Sequence, residues 1–209
     1  MKIKYKAQDN CWRRLAKTPT AKIIQSKRSM RKILSILFLL GIVISVKAQD
    51  NRIPDDTLMW RANRPLGFND FTGEPIESSN LMGEAFCLIL TAYDKPADSD
   101  WYKISVVAVF DRTNSWISHR AKPDEILLFQ VTFNVFEVYA RQLRRDLQQI
   151  TTGASTQYLF QRKYAAALPL LTHTCNELKR DTRMGSDRGK LSEWNQKINK
   201  ELKELEQYK

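Results

Sequence analysis

Residues 83–112 read GEAFCLILTAYD, then KPADSD, then WYKISVVAVFDR: two runs dense in β-branched and aromatic residues around a polar, proline-containing segment. Such runs bounded by turn formers predict a β-hairpin, Gly83 to Asp94 and Trp101 to Arg112, turning through Lys95 to Asp100. In the second run Tyr102, Ile104, Val106, Ala108 and Phe110 share one face, and Val107 and Val109 make the other face apolar too. A strand of that pattern is expected to be covered on both sides.

Downstream, the period changes from two to nearly four. Pro123 suits a first helical turn, and Asp124 to Ile150 contains neither Gly nor Pro. From Ile126 to Val138 this stretch is apolar on every side, which predicts a helix buried at its start. Its second half carries Arg141, Arg144, Arg145 and Asp146, with Leu143 and Leu147 continuing one stripe, and Thr151-Thr152-Gly153 ends it. A second helix is expected over Tyr158 to Lys179, kinked or split by Pro169. From Asp187 to Tyr208, Leu191, Trp194, Ile198, Leu202 and Leu205 recur at three- and four-residue steps with Glu and Lys between them, an amphipathic helix laid on the body. The fold class expected is α+β, a small antiparallel sheet followed by about three helices.

Upstream of the hairpin, Asp50 to Asn80 is rich in Pro, Asn, Asp and Gly and holds Trp60, Phe68 and Phe71 as aromatic anchors. It reads as an ordered, loop-rich lead-in with short extended pieces. Before it stands a different kind of sequence. Lys27, Arg28, Arg31 and Lys32 precede the apolar run Ile33 to Val46, and Val46-Lys47-Ala48 places small residues where a signal peptidase reads. Residues 30–48 are therefore expected to be a secretory signal peptide, the run being shorter than the roughly 20 residues a membrane span needs. Met30 opens that signal so directly that residues 1–29 read as an upstream mis-start or dispensable extension, Met1 and Met30 both standing as candidate starts. The expected product is one domain, 49–209, exported to the periplasm or beyond. It would touch a membrane only through the signal segment before cleavage.

Charge supports that division. The whole chain is formally +11, from 34 Lys and Arg against 23 Asp and Glu. Residues 1–48 hold twelve of those bases and a single acid, Asp9, so the body carries 22 of each sign. A nucleic-acid partner is not expected, because its electrostatic footprint would sit entirely in the leader. Export would place Cys87 and Cys175 in an oxidising compartment. Two readings stand for them, a disulfide and a pair of buried thiols.

The stretch Trp60-Arg61-Ala62-Asn63-Arg64-Pro65-Leu66-Gly67-Phe68-Asn69-Asp70-Phe71-Thr72-Gly73-Glu74-Pro75 resembles the opening signature of domain of unknown function 922, a family of predicted secreted bacterial zinc-dependent proteases. Phe110-Asp111 with Ser115-Trp116, Leu127 to Arg141, and Asp181-Thr182-Arg183-Met184-Gly185 followed by Glu193-Trp194 resemble later blocks of that family in the same order. The resemblance implies a zincin-like relation between the sheet and the first long helix. It also implies a His-Glu-x-x-His core on that helix. Aligning Phe133, Glu137, Tyr139, Ala140 and Arg141 with the family's pattern puts Leu128 at the first histidine, Phe129 at the glutamate, Thr132 at the second histidine and Asn134 at a following aspartate. Met184 takes the place of a further histidine.

These exchanges remove the chemistry. Two histidines four apart on a helix hold zinc from one face while the glutamate between them activates the metal-bound water. Leu128 and Phe129 have no lone pair, Thr132 is a poor zinc ligand, and a Met184 thioether favours softer metals. The expectation is a catalytically inactive homologue with no metal or other cofactor, acting as a binding or structural module for an unknown protein or peptide. The alternative is a peptidase with a relocated or non-zinc site. His119 and His173 read as surface or satisfied histidines, although His173, Cys175 and an acid such as Glu137 are of the right type to rebuild a site. Glu137, Tyr139 and Arg141 admit a binding role, but buried hydrogen bonding is the reading favoured here. Trp60, Trp116 and Trp194 are expected as core anchors.

Overall fold

The computed structural model describes residues 4–6, 56–76, 78–98, 102–150, 153 and 155–209. The described residues belong to one compact unit; residues 8–51, and with them the expected signal peptide 30–48, lie outside the described residues. Within this unit the fold is α+β. Strands β1 (Lys4–Lys6), β2 (Thr57–Met59), β3 (Gly83–Asp94) and β4 (Lys103–Ile117) make an antiparallel sheet in the order β1-β3-β4-β2. Helices α1 (Ile126–Gln148), α2 (Thr156–Asp181) and α3 (Arg188–Glu204) follow. No described helix is long and apolar enough to cross a membrane.

The hairpin forms as its pattern predicts, with Cys87 opposite Phe110 and Ile89 opposite Ala108. Those side chains and Val106 face the core against α1, and Phe110 lies edge-on to Phe71 with ring centroids 5.1 Å apart. Leu90, Ala92 and Val109 on the other face are buried as well. The second strand runs five residues further than the sequence suggests, to Ile117. Polar residues Arg112 to Ser115, at and beyond the expected end of the strand, form a bulge opposite Ala85, since Glu84 pairs with Trp116 and Phe86 with Asp111. Side chains replace the missing ladder bonds there: Phe86 N–H donates to Ser115 Oγ, Ser115 Oγ–H to Asp111 O, and Asn114 N–H to Asp111 Oδ1.

The lead-in is strapped to this bulge. Thr72 N–H donates to Arg112 O and Gly73 N–H to Ser115 O. Gly73 lies so close that a Cβ there would sit 2.7 Å from Thr113 O and 2.8 Å from Ser115 O, both backbone atoms. Of the expected anchors, Phe71 is buried and Trp60 half-buried, but Phe68 is exposed at the start of a short 3-10 turn. Its place in the anchoring is taken by charge: Asp70 accepts from Arg64 Nη2 at 2.8 Å and from Gly67 N–H, and Arg112 reaches Asp56.

Helix α1 touches β3, β4, α2 and α3, which explains why its first half is apolar all round. Helix α2 stays continuous through Pro169, so of the two expected outcomes, a kink or a split, the split does not occur. Pro169 lies on the exposed side of α2, where loss of one helical donor does not strand a buried carbonyl. After α2 the chain reverses through Arg183, Met184 and Gly185, all at positive φ, before Asp187 caps α3 by accepting from Lys190 N–H. Leu191, Trp194, Ile198, Leu202 and Leu205 are buried, the stripe their spacing predicts.

Candidate functional site

A helix repeating every 3.6 residues sends Leu128 and Thr132 to one side of α1 and Gln130, Asn134 and Arg141 to another. On the first side lie the positions that the resemblance aligns with zinc ligands. Leu128, Phe129 and Thr132 are buried. A Cβ placed on Gly185 would stand 3.3 Å from Leu128 Cβ, so the reversal after α2 abuts α1 at this point. The left-handed turn is what delivers it there: Thr182 Oγ–H donates to Leu178 O, Gly185 N–H to Thr182 Oγ1, and Met184 N–H to Lys179 O.

The atoms assembled there are not metal donors. Phe129 packs on Phe71 with centroids 5.3 Å apart. Thr132 Oγ–H is spent on Leu128 O one turn back, 2.8 Å away. Met184 is 45% exposed. The donor set therefore does not fit zinc, and among the described residues no group of three or more His, Cys, Asp and Glu side chains is placed to hold a metal ion. The rebuilt site falls for the same reason: His173 is 67% exposed and pairs with Glu177, Cys175 is buried, and Glu137 is already held by two arginines. His119 lies exposed in the turn after β4.

Buried Arg141, braced by buried Glu137, and half-buried Tyr139 join α1 to its neighbours. Arg141, 1% exposed, donates from Nε to Glu137 Oε1 at 2.9 Å and from Nη1 to Leu202 O at 2.6 Å, capping the last turn of α3. Arg144 Nη2 reaches the same Glu137 oxygen at 2.8 Å. The Arg141 guanidinium also lies over the Trp60 ring, 5.0 Å from its centroid. Tyr139 shares a 2.9 Å hydrogen bond with Thr174, tying α1 to α2. Trp116 and Trp194 are core side chains, as expected.

Cys87 and Cys175 stand as free, buried thiols. Burial, followed by the neighbouring Cys175, pushes the Cys87 thiol well above its ordinary pKa, and burial raises Cys175 to about 11. Neither is a nucleophile at neutral pH, since the thiolate is the reactive form.

The second side of α1 opens on a cleft of about 390 Å³ between the Trp60–Pro65 segment and α3. Gln130 and Asn134 floor it; Asn195 and Asn199 come from α3. Asn134 Oδ1 accepts from both Trp60 Nε1 and Gln130 Nε2 at 2.8 Å, while Gln130 Oε1 accepts from Leu66 N–H. The resemblance sets Asn134 where the family has an aspartate, and the sequence alone draws no attention to the other three amides. The i, i+4 spacing of Gln130 with Asn134 and of Asn195 with Asn199 was the available signal, but nothing in one sequence says that the two pairs face each other. No family model, curated protein or solved structure matches the chain.

Proposed function

We propose that this chain is an exported, catalytically inactive homologue of the secreted zinc proteases it resembles, with a zincin-like ancestry, and that it works as a binding module. One observation carries the reading. Leu128, Thr132 and the Met184-Gly185 turn, distant in sequence and aligned by the resemblance with metal ligands, adjoin one another, and their side chains are apolar or already hydrogen-bonded. A polar metal cavity is costly to bury without its ion, so leucine and phenylalanine there are the substitutions expected once the metal is lost. Each such buried side chain contributes about 1.5–3 kcal/mol.

The test is elemental analysis of the untagged protein, with peptide cleavage assayed in the presence and absence of a chelator. Zinc far below one equivalent and no chelator-sensitive cleavage are expected. Near-stoichiometric zinc with cleavage that a chelator abolishes would overturn the reading.

A further inference from the structure

The cleft on the second side of α1 has the makings of a ligand site. Asn134 is 6% exposed, yet only its oxygen is engaged; its Nδ2 has no acceptor among the described residues and lies at the cleft. An amide N–H that the protein leaves unused and that faces a cleft is free to donate to a ligand acceptor. Its position is rigid, since Trp60 and Gln130 both hold Oδ1.

Charge narrows the ligand. Arg61 and Lys203 line the rim, and neither has a carboxylate partner among the described residues. The acid that lines the cleft, Glu206, is engaged by Lys209 and Arg141. The free potential is positive, and a neutral donor waits at the floor. A guanidinium fork with a planar amide suits a carboxylate. On the α3 wall, Asn199 Nδ2 donates to Asn195 Oδ1, which leaves Asn195 Nδ2 as a donor and Asn199 Oδ1 as an acceptor. That pair complements the C=O and N–H of a peptide group, which a bare phosphate lacks.

We propose that this cleft binds a carboxylate-bearing peptide segment, the carboxylate lying between Asn134 and Arg61 and the adjoining peptide group on Asn195 and Asn199. The site deepens the binding role proposed above and takes its functional meaning from that reading. Two sources supply the chemistry: a chain's C-terminus and an Asp or Glu side chain.

Calorimetric titration of the full chain tests it with acetyl-trialanine as the free acid, the same peptide as its carboxamide, acetyl-Ala-Glu-Ala-amide, and acetate alone. The free acid is expected to bind about tenfold or more tightly than the carboxamide, the loss expected for one charged hydrogen bond. Binding of the Glu peptide in place of the free acid would assign the side-chain source and support the same site. Arg61→Ala and Asn195→Ala, at positions outside the core, should each weaken the acid's binding without moving the melting temperature; Asn134→Leu should abolish it. Equal binding of acid and carboxamide, binding by none of the three peptides, or acetate matching the peptide that binds would each overturn the proposal. Those results would leave the inactive-homologue reading standing, because that reading fails on zinc and chelator-sensitive cleavage instead.

Discussion

Arg141→Met separates an architectural role for the Glu137–Arg141 pair from a binding role. The substitution keeps most of the aliphatic volume and removes a guanidinium that is 1% exposed. Taking one partner from a buried pair costs about 3–5 kcal/mol when the survivor is stranded. Glu137 is not wholly stranded, since Arg144 still reaches it at 2.8 Å from a partly exposed position. Against that relief, Leu202 O loses the donor that satisfies it in the last turn of α3, which adds about 1–3 kcal/mol for an orphaned buried acceptor. The contact with Trp60 goes as well. The expected total is about 3 kcal/mol, or a melting temperature lowered by roughly 6–12 °C in a chain of this size. Urea unfolding followed by tryptophan fluorescence and circular dichroism measures it. A cycle with Glu137→Leu should show coupling, the double variant losing less than the sum of the singles because it leaves no fully buried charge unpaired, Arg144 being partly exposed. A loss below about 1 kcal/mol, with no coupling, would refute the argument.

Three further outcomes follow from the geometry. Gly73→Ala should destabilise by about 1–3 kcal/mol, as overpacking against backbone does, while Gly67→Ala, with nothing within 4 Å of its Cβ, should be near neutral by the same unfolding assay. Cys87 and Cys175 should resist iodoacetamide in the native protein at pH 7 and react once it is unfolded, read by mass spectrometry; protection that persists in denaturant until a reductant is added would mean a disulfide instead. Burial alone would raise the Asp70 carboxyl, but hydrogen bonds from Arg64 and Gly67 and the charges of Arg64 and Arg112 outweigh it and hold the pKa below the ordinary value. A carboxylate depressed in the folded state stabilises fully above its unfolded pKa of about 4 and loses that contribution as pH falls through the folded value. Asp70→Asn should therefore cost stability at pH 7 and flatten the acid limb of the stability profile; an unchanged acid limb would show that Asp70 is not the group responsible.

Local pattern was enough to place the hairpin and all three helices, because a period of two or 3.6 in apolar residues is written in adjacent positions. Where the structure departs from that reading, a distant contact is responsible. The expected strand ends at Arg112, and only the register of Glu84 with Trp116 and Phe86 with Asp111 makes the polar stretch to Ser115 a bulge within β4. Phe68 looks like an anchor, yet the neighbouring Asp70 with its arginines takes that role while the ring stays outside. Pro169 looks like a break, but its exposed position on α2 lets the helix run on.

The candidate sites divide in the same way. Residue type alone established that Leu128, Phe129, Thr132 and Met184 offer no zinc ligand set, since donor chemistry belongs to the side chain whatever the fold. The sequence likewise determined the α+β class and the charge balance of residues 49–209, which is neutral behind a basic N-terminal segment. Tertiary structure decided that Gly185 abuts Leu128, that Arg141 caps α3 through Leu202, and that two amide pairs far apart in sequence face one another across a cleft. Propensity and periodicity act over a few residues, whereas a site is made by the packing of elements on α1, and that packing depends on contacts between residues dozens of positions apart.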